Sequence, residues 1–272
     1  MPWNIRPDAC RPLVGLVCRA EVGARQARRP GRILLRMKTA GLDMLFSRSC
    51  EGCGVSMTGE GGSLCWDCQT SVSWVQMPFC ERCGDPVAGL VSDAYECAWC
   101  RKSAPAFDWA RSAVRYDGLA KTCLRRFKYN VGFWLMNNLV DWLVALWKTC
   151  PPDVREADGM APVPLYPRRR RERGYNQSAM LAEALAQRMG IPFRPGLLRR
   201  IRSTPSQTRL TAAQRVHNVR GVFSVPWPRR VRGARIVLVD DVMTTGATVN
   251  ECARMLRAAG AASVMVLTVA RG

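Results

Sequence analysis

The chain has 272 residues, 48% of them hydrophobic, and a formal net charge of +20. This length is sufficient for one α/β domain and a smaller module, and the charge indicates an anionic substrate or partner. The most apolar stretch, residues 133–147, is too short to span a bilayer and is interrupted by polar residues. The sequence therefore predicts no membrane insertion.

Residues 1–43 are basic and show no clear hydrophobic periodicity. We expect them to form a flexible N-terminal extension. Because they contain no long apolar segment, they do not indicate a secretory signal, and the sequence favours a cytoplasmic protein.

Four Cys-x-x-Cys pairs follow within residues 44–104. The pairs, separated by 11, 11 and 13 residues, are Cys50/Cys53, Cys65/Cys68, Cys80/Cys83 and Cys97/Cys100. Two thiolates at this spacing can hold one metal ion through a tight turn, and two such pairs complete a tetrahedral four-sulfur zinc site. We therefore predict a double zinc ribbon over residues 44–104. Its two Zn²⁺ ions would be structural, since four sulfurs leave no coordination position for a reactive water.

Other chemistries for these cysteines are less favoured. Disulfide bonds require an oxidising compartment, which nothing in the sequence indicates, and four evenly spaced pairs fit zinc better than an iron–sulfur cluster. The spacing leaves the pairing open. Either the first pair joins the second and the third joins the fourth, or the pairs alternate in a cross-braced arrangement.

Residues 105–272 have the alternating strand and helix patterns of an α/β fold. The predicted elements of the first half are an extended segment at 107–116, a helix at 119–128, a buried helix at 133–147 and a short strand at 160–165. We expect Trp134, Trp142 and Trp147 in the core or at an interface.

An arginine-rich segment follows the strand at 160–165. Residues 168–177 are predicted to form a loop before a helix at 178–189, and residues 160–235 contain 17 arginines and two acids, a net charge of +15. We predict that this loop binds pyrophosphate, because arginine binds phosphate oxygens in a bidentate manner. The alternative for Arg168–Arg171 is a solvated basic surface.

Residues 197–210 are polar, contain a proline and lack periodicity. They are predicted either as a mobile lid over the site or as an ordinary surface connection. A short strand at 222–225 follows.

The segment 236–248 carries the strongest functional signal. Ile236–Val239 predicts a parallel strand buried on both faces, and Asp240 and Asp241 follow at its carboxyl end, where open α/β sheets bind ligands. The residues at the predicted start of the next helix are Thr244, Thr245, Gly246, Ala247 and Thr248. A helix start binds anions, whereas ionised aspartates accept hydrogen bonds from hydroxyl groups. The segment therefore predicts a site for a phosphorylated ribose.

This segment resembles the 5-phosphoribosyl-1-pyrophosphate (PRPP) motif of type I phosphoribosyltransferases, in which an apolar strand leads to Asp-Asp and then to Thr-Thr-Gly-x-Thr. The resemblance implies an α/β fold with a parallel sheet flanked by helices over residues 105–272, preceded by the small zinc-ribbon module. It also implies that Asp240 and Asp241 bind the ribose 2- and 3-hydroxyls, and that residues 244–248 bind the 5-phosphate.

From residue 45 onward the chain is similar to the ComF family of bacterial proteins linked to DNA uptake competence. Besides the zinc ribbon and the Asp-Asp segment, the shared motifs are Phe127-Lys128-Tyr129, Pro162-Val163-Pro164-Leu165, Arg173-Gly174-Tyr175-Asn176-Gln177, and Thr204-Pro205-Ser206-Gln207-Thr208 with Leu210, Arg215 and Asn218. The resemblance implies that Arg173 acts on the leaving pyrophosphate of magnesium-bound PRPP. The further substrate-binding residues that it implies are Gly174, Tyr175, Asn176, Gln177, Gln207 and Thr208.

Three functions remain open from the sequence. A phosphoribosyltransferase would transfer the 5-phosphoribosyl group of Mg²⁺–PRPP to an acceptor nitrogen. A non-catalytic module with the same fold would bind single-stranded DNA, or the DNA-uptake machinery, through its arginines and through stacking on Trp66, Trp74, Trp99 and Trp109. A regulator would sense PRPP without turnover.

Overall fold

The computed structural model describes residues 48–57, 62–89, 91, 94–129, 132–204 and 211–272. The α-helices in these ranges are α1 (Trp66–Thr70), α2 (Ala98–Ser103), α3 (Gly118–Lys128), α4 (Met136–Thr149), α5 (Pro152–Arg155), α6 (Pro167–Arg173), α7 (Gln177–Met189), α8 (Ala212–Val219) and α9 (Ala247–Ala258). The strands are β1 (Arg48–Ser49), β2 (Ser56–Met57), β3 (Trp109–Arg115), β4 (Gly159–Pro162), β5 (Arg199–Arg200), β6 (Phe223–Ser224), β7 (Arg235–Met243) and β8 (Ser263–Arg271). The predicted extension at 1–43, and Gln207 and Thr208 of the predicted lid, lie outside the described residues.

A four-stranded parallel sheet in the order β3–β8–β7–β4 forms the centre of the fold. Alternate residues of β7 enter two separate cores: Val237 and Val239 on one face, Ile236 and Leu238 on the other. Because both faces of the sheet are covered here, the sequence of the strand is a continuous apolar run and does not alternate between apolar and polar residues. The predicted parallel sheet flanked by helices is confirmed.

Different helices cover the two faces. Leu124 of α3, Leu143 of α4 and Leu185 of α7 pack in the core that contains Val237. On the other face, residues of α9, among them Cys252 and Leu256, pack in the core that contains Ile236. Among the described residues, no helix has both the length and the apolar character needed to cross a bilayer.

The cysteine-rich module is built onto the edge strand β3. In the segment between its two halves, the Val75 N–H donates to the Ala113 carbonyl at 3.0 Å, and the Arg115 N–H donates to the Ser73 carbonyl at 2.8 Å. In the second half, Ala110 donates to the Arg82 carbonyl at 2.7 Å. Residues Ser47–Gly272 accordingly form one compact unit.

Two local predictions differ from the structure. Residues Arg168–Arg171 lie in helix α6 and not in a loop. Pro167 occupies the first turn, where its missing N–H costs nothing, and arginine is a good helix former. Trp142 and Trp147 are buried as predicted, but Trp134 is 53% exposed, so of the two predicted locations, core or interface, the core is wrong for Trp134.

Candidate functional site

Asp240 and Asp241 lie near the carboxyl end of β7, where α3 and α7 approach the sheet. The Ser178 hydroxyl donates to Asp240 Oδ1 at 2.7 Å, and the Asp241 N–H donates to the same oxygen at 2.9 Å. Asp241 is buried, and its Oδ2 lies 3.1 Å from Lys128 Nζ at the end of α3. The structure thus brings one lysine to the predicted acidic pair.

Asp240 and Asp241 differ in their electrostatic surroundings. Burial and the neighbouring charge of Asp241 raise the pKa of Asp240 to about 7, although Ser178 and Lys128 oppose the shift. Burial lowers the pKa of Lys128, but the carboxylates of Asp241 and Asp240 outweigh that effect and raise it. Lys128 is therefore charged and compensates one carboxylate. Because the folded chain keeps the Asp240 proton up to about pH 7, whereas the unfolded chain releases it near the ordinary pKa of 3.8, the stability contributed by Asp240 falls as pH rises through this range.

The turn at 244–248 connects β7 to α9 and contains the predicted phosphate-binding residues. Gly246 has φ +74° and is the N-cap of α9 without a side chain of its own, and the N–H of the first helical residue, Ala247, donates to Thr245 Oγ1 at 3.4 Å. A Cβ at Gly246 would lie 2.8 Å from Met243 Cε and 3.5 Å from Trp99 Cη2, so both the backbone conformation and the space favour glycine. A helix start with a glycine N-cap allows close approach of an anion to its backbone N–H groups and to the positive end of the helix dipole.

The segment 173–177 lies beside the acidic pair, because Ser178 follows it directly. Arg173 Nη1 donates to Gln177 Oε1 at 3.2 Å, and its guanidinium lies 6.0 Å from the Tyr129 ring centroid. The other polar side chains bond to backbone carbonyls: Tyr175 to Phe127, Asn176 to Val163 at 3.1 Å and Gln177 to Lys128 at 3.2 Å. These bonds hold the end of α3, and thereby Lys128, against the segment.

The eight predicted metal ligands form two groups of four. The groups are Cys50, Cys53, Cys65, Cys68 and Cys80, Cys83, Cys97, Cys100, each with its sulfurs within 4.8 Å of one another. Three Sγ–Sγ distances are 3.6 Å (Cys53–Cys65), 3.8 Å (Cys80–Cys100) and 3.7 Å (Cys83–Cys97). A tetrahedral Zn²⁺ with 2.3 Å bonds places its sulfurs about 3.8 Å apart. The residues fit two structural zinc ions, with the sequential pairing.

Backbone N–H groups support the thiolates of each group. Cys50 Sγ accepts from the Gly52 and Cys65 N–H groups at 3.3 and 3.2 Å, and Cys80 Sγ accepts from the Cys97 N–H at 3.3 Å. Burial raises the pKa of Cys50, but these backbone donors outweigh it and lower the pKa to about 6, whereas burial and the neighbouring sulfurs raise the pKa of Cys68. A thiolate is the form that binds zinc.

Four contributors to the site were not predicted from the sequence as functional residues: Lys128, Ser178, Arg215 and Arg271. Arg215 Nη1 donates to the Thr244 hydroxyl at 2.9 Å, and Arg271 Nη1 donates to the carbonyl oxygens of Met243 and Thr244. All four lie far from residues 240–248 in the chain, and no local pattern marks them. Lys128 and Arg215 do stand in motifs that resemble the ComF family.

Two family models match the chain. They describe a phosphoribosyl transferase domain, which matches residues 176–272, and a double zinc ribbon domain, which matches residues 41–102. Both modules therefore occur in the order that the sequence predicted.

Curated relatives match most of the chain. Over 233 residues it is 30% identical to Competence protein F of Haemophilus influenzae, covering 83% of this chain and 98% of that protein. It is 29% identical over 224 residues to the DNA utilization protein YhgH of Salmonella typhimurium, covering 82% and 96%. Over 232 residues it is 26% identical to Competence protein ComFC of Bacillus subtilis, covering 84% and 92%.

Among solved structures, a glutamine PRPP amidotransferase from B. subtilis, complexed with ADP and GMP, is similar with a TM-score of 0.37 and 25% identity. The match covers 54% of this chain and 30% of that enzyme, so the chain spans less than a third of its length.

Proposed function

This chain belongs to the ComF family, and we propose on that premise that its C-terminal domain binds PRPP with Mg²⁺ and transfers the 5-phosphoribosyl group in the cytoplasm. One observation carries the proposal: two adjacent carboxylates and one lysine lie near the end of a buried strand, which a short turn connects to a helix start with a glycine N-cap. The carboxylates can accept hydrogen bonds from the ribose hydroxyls, and the N–H groups of the helix start can donate to the 5-phosphate.

Each group in the site has a task in this reaction. Asp240 and Asp241 accept hydrogen bonds from the 2- and 3-hydroxyls, and Lys128 limits the repulsion between the two carboxylates. The C1–O bond breaks with its electron pair leaving on pyrophosphate, and the lone pair of an acceptor nitrogen forms the new bond to C1. Arg173 stabilises the charge on the departing oxygens. Mg²⁺ bound together with PRPP would supply positive charge that neutralises the leaving pyrophosphate, and the carboxylates of Asp240 and Asp241 would help to hold it.

Two measurements test this proposal. Titration calorimetry with Mg²⁺–PRPP should show binding to one site per chain, and incubation with a panel of nitrogen acceptors should release pyrophosphate. Binding without release from any acceptor would favour a PRPP-sensing regulator. Absence of binding would overturn the proposal.

A role in binding single-stranded DNA is the second candidate. Of the four tryptophans predicted for stacking, Trp66 is 66% exposed and Trp74 is 38% exposed, whereas Trp99 and Trp109 are half-buried. The chain also has a net charge of +20. Exposed aromatic rings on a basic protein are typical of surfaces on which bases stack. Oligonucleotide binding that weakens steeply with salt, in the absence of any PRPP binding, would favour this function.

The affinity for PRPP should depend on pH through Asp240. Its pKa of about 7 lies above the ordinary value of 3.8, so the carboxyl is largely protonated at pH 6 and largely ionised at pH 8. If the ionised form accepts the ribose hydroxyl, the dissociation constant should be about tenfold larger at pH 6 than at pH 8. Calorimetry at both pH values measures this ratio.

PRPP itself also takes up protons in this range, so the Asp240→Asn variant serves as the control. In this variant, the dissociation constant for PRPP should change with pH only through protonation of PRPP and of groups other than residue 240. An identical ratio in the variant and the wild type would contradict the assignment to Asp240.

A further inference from the structure

The second half of the cysteine-rich module, residues 80–106, contacts the phosphate turn, residues 244–248. Two chains of contacts connect this half to the turn, and the first begins at Asp85, two residues after Cys83. Asp85 Oδ1 lies 3.1 Å from Arg271 Nη2, and the Arg271 side chain is only 9% exposed. Arg271 Nη1 donates to the carbonyls of Met243, at 3.0 Å, and Thr244. Asp85 is thus connected to the turn through one buried guanidinium.

This route orients the peptide groups of the turn. In a trans peptide the carbonyl and the N–H point in opposite directions. When Arg271 holds the carbonyls of Met243 and Thr244, the N–H groups of Thr244 and Thr245 face away from Arg271. The Gly272 N–H also donates to the Met243 carbonyl, at 2.9 Å, so Arg271 and the end of β8 together fix the direction in which the turn presents its donors to an anion.

The cysteine turn itself fixes the position of Asp85. The Cys80 N–H donates to the Asp85 carbonyl at 2.8 Å, and the Gly84 N–H donates to the Cys80 carbonyl at 2.8 Å. The Asp85 carboxylate consequently has a defined position only while this turn keeps its shape.

The second route runs through helix α2, which contains Cys100. Trp99 Cη2 lies 3.5 Å from the position of a Cβ on Gly246, so the indole covers the turn. Immediately after α2, the Ala106 N–H donates to Asn250 Oδ1 at 2.7 Å, in the first turn of α9. The phosphate turn is therefore contacted at its start, Thr244, by Arg271 and near its middle, Gly246, by Trp99.

The first half of the module has other neighbours. Arg126 of α3 donates to the Glu51 carbonyl at 3.0 Å, and the Ser63 N–H donates to Asn138 of α4 at 3.2 Å. Within the part of the chain that the structure describes, the side-chain hydrogen bonds of this half reach α3, α4 and the residues just before α4, and not the phosphate turn. The two cysteine groups are chemically alike but differ in what they support.

We propose that the second cysteine group is a positioning element of the phosphate site, and that it acts through Trp99 and through the Asp85–Arg271 pair. This inference rests on the proposed function, since it assigns the turn to the 5-phosphate of PRPP. Trp99 and Asp85 touch no reacting atom. They hold the turn in the conformation that binds the anion.

The test compares Trp99→Ala and Asp85→Asn with Trp66→Ala and Glu51→Gln, the matched changes in the first half. Calorimetry with Mg²⁺–PRPP should show about tenfold weaker binding for the first two variants and unchanged binding for the two controls. Zinc content should remain at two ions per chain in all four. Trp99→Phe should restore most of the affinity, because it returns an aromatic ring to the same place.

Hydrogen exchange followed by mass spectrometry provides a readout that needs no ligand. Peptides covering residues 243–250 should exchange faster in Trp99→Ala and Asp85→Asn than in the wild type, and at the wild-type rate in both controls. Unchanged exchange in this segment would overturn the inference. If the wild type binds no PRPP, the proposed function fails, and the exchange rates still decide whether the second cysteine group positions the turn.

Discussion

Asp240→Asn should weaken Mg²⁺–PRPP binding by about 5- to 150-fold, which corresponds to the loss of roughly 1–3 kcal/mol for a hydrogen bond to a charged group. The amide keeps the size of the side chain and can still accept from Ser178, but it has no charge and loses acceptor capacity toward a ribose hydroxyl. Titration calorimetry of the variant and the wild type measures this ratio.

The same variant should not be less stable than the wild type. Burial and Asp241 raise the pKa of Asp240, so the ionised carboxyl is unfavourable in the folded chain at pH 8. Removing that charge should leave the free energy of unfolding unchanged or raise it. Weaker binding without lower stability is what distinguishes a ligand-binding role from a structural one.

Glu183→Gln is the matched control, because Glu183 is an exposed acid on α7, the helix that also carries Ser178. Its affinity for PRPP should equal that of the wild type. If Asp240→Asn also bound PRPP with wild-type affinity, Asp240 would not contact the ribose.

Loss of a zinc ligand should have the largest effect on folding. The purified protein should contain two zinc ions per chain, and Cys50→Ser or Cys80→Ser should each reduce the number to one. Structural zinc contributes about 10–16 kcal/mol in zinc-finger peptides, which is comparable with the total stability of a typical domain, about 5–15 kcal/mol. We therefore expect each variant to unfold or aggregate at temperatures at which the wild type is folded.

The burial of Cys50 and Cys80 supports a large loss of stability in both variants. Cys50 is 3% exposed and Cys80 is 0% exposed, and each belongs to one of the two cores of the sheet. Unfolding of either cysteine turn would open a core as well as a metal site. Metal analysis by mass spectrometry and thermal unfolding with and without a chelator measure the two effects.

Cys123→Ser is the control for these variants. Cys123 is buried in α3 but belongs to neither group of four, so its replacement should lower stability modestly and leave two zinc ions bound. A Cys80→Ser variant that retained both ions and the wild-type melting temperature would contradict the zinc assignment.

Patterns confined to a short stretch of chain could be interpreted from the sequence alone. The Cys-x-x-Cys pairs predict metal ligands because each pair is made by one tight turn. The run from Ile236 to Asp241 predicts a doubly covered strand that ends in acids, because β7 takes its apolar character from the two cores around it. In both cases the chemistry and the local geometry lie within about a dozen residues.

Other sequence predictions depended on neighbours that a local pattern does not reveal. The four arginines at 168–171 form a helix because Pro167 starts it and Gly174 ends it, although their charge suggested a loop. Trp134 precedes α4 and is exposed, whereas Trp142 and Trp147 of the same apolar run are buried. Composition alone does not determine which side of a helix faces the core.

The sequence by itself therefore determined the two modules, the eight cysteine ligands and the acidic pair with its following turn. Only the tertiary structure decided which cysteines share an ion, that Lys128 pairs with Asp241, and that Arg271 holds the phosphate turn. The cysteine pairing depends on how the four turns fold onto one another, which their nearly equal spacing left open. The contacts of Lys128 and Arg271 join a helix end and a strand end that are distant in the chain from residues 241–244. They meet because parallel strands bring their carboxyl ends to one edge of the sheet.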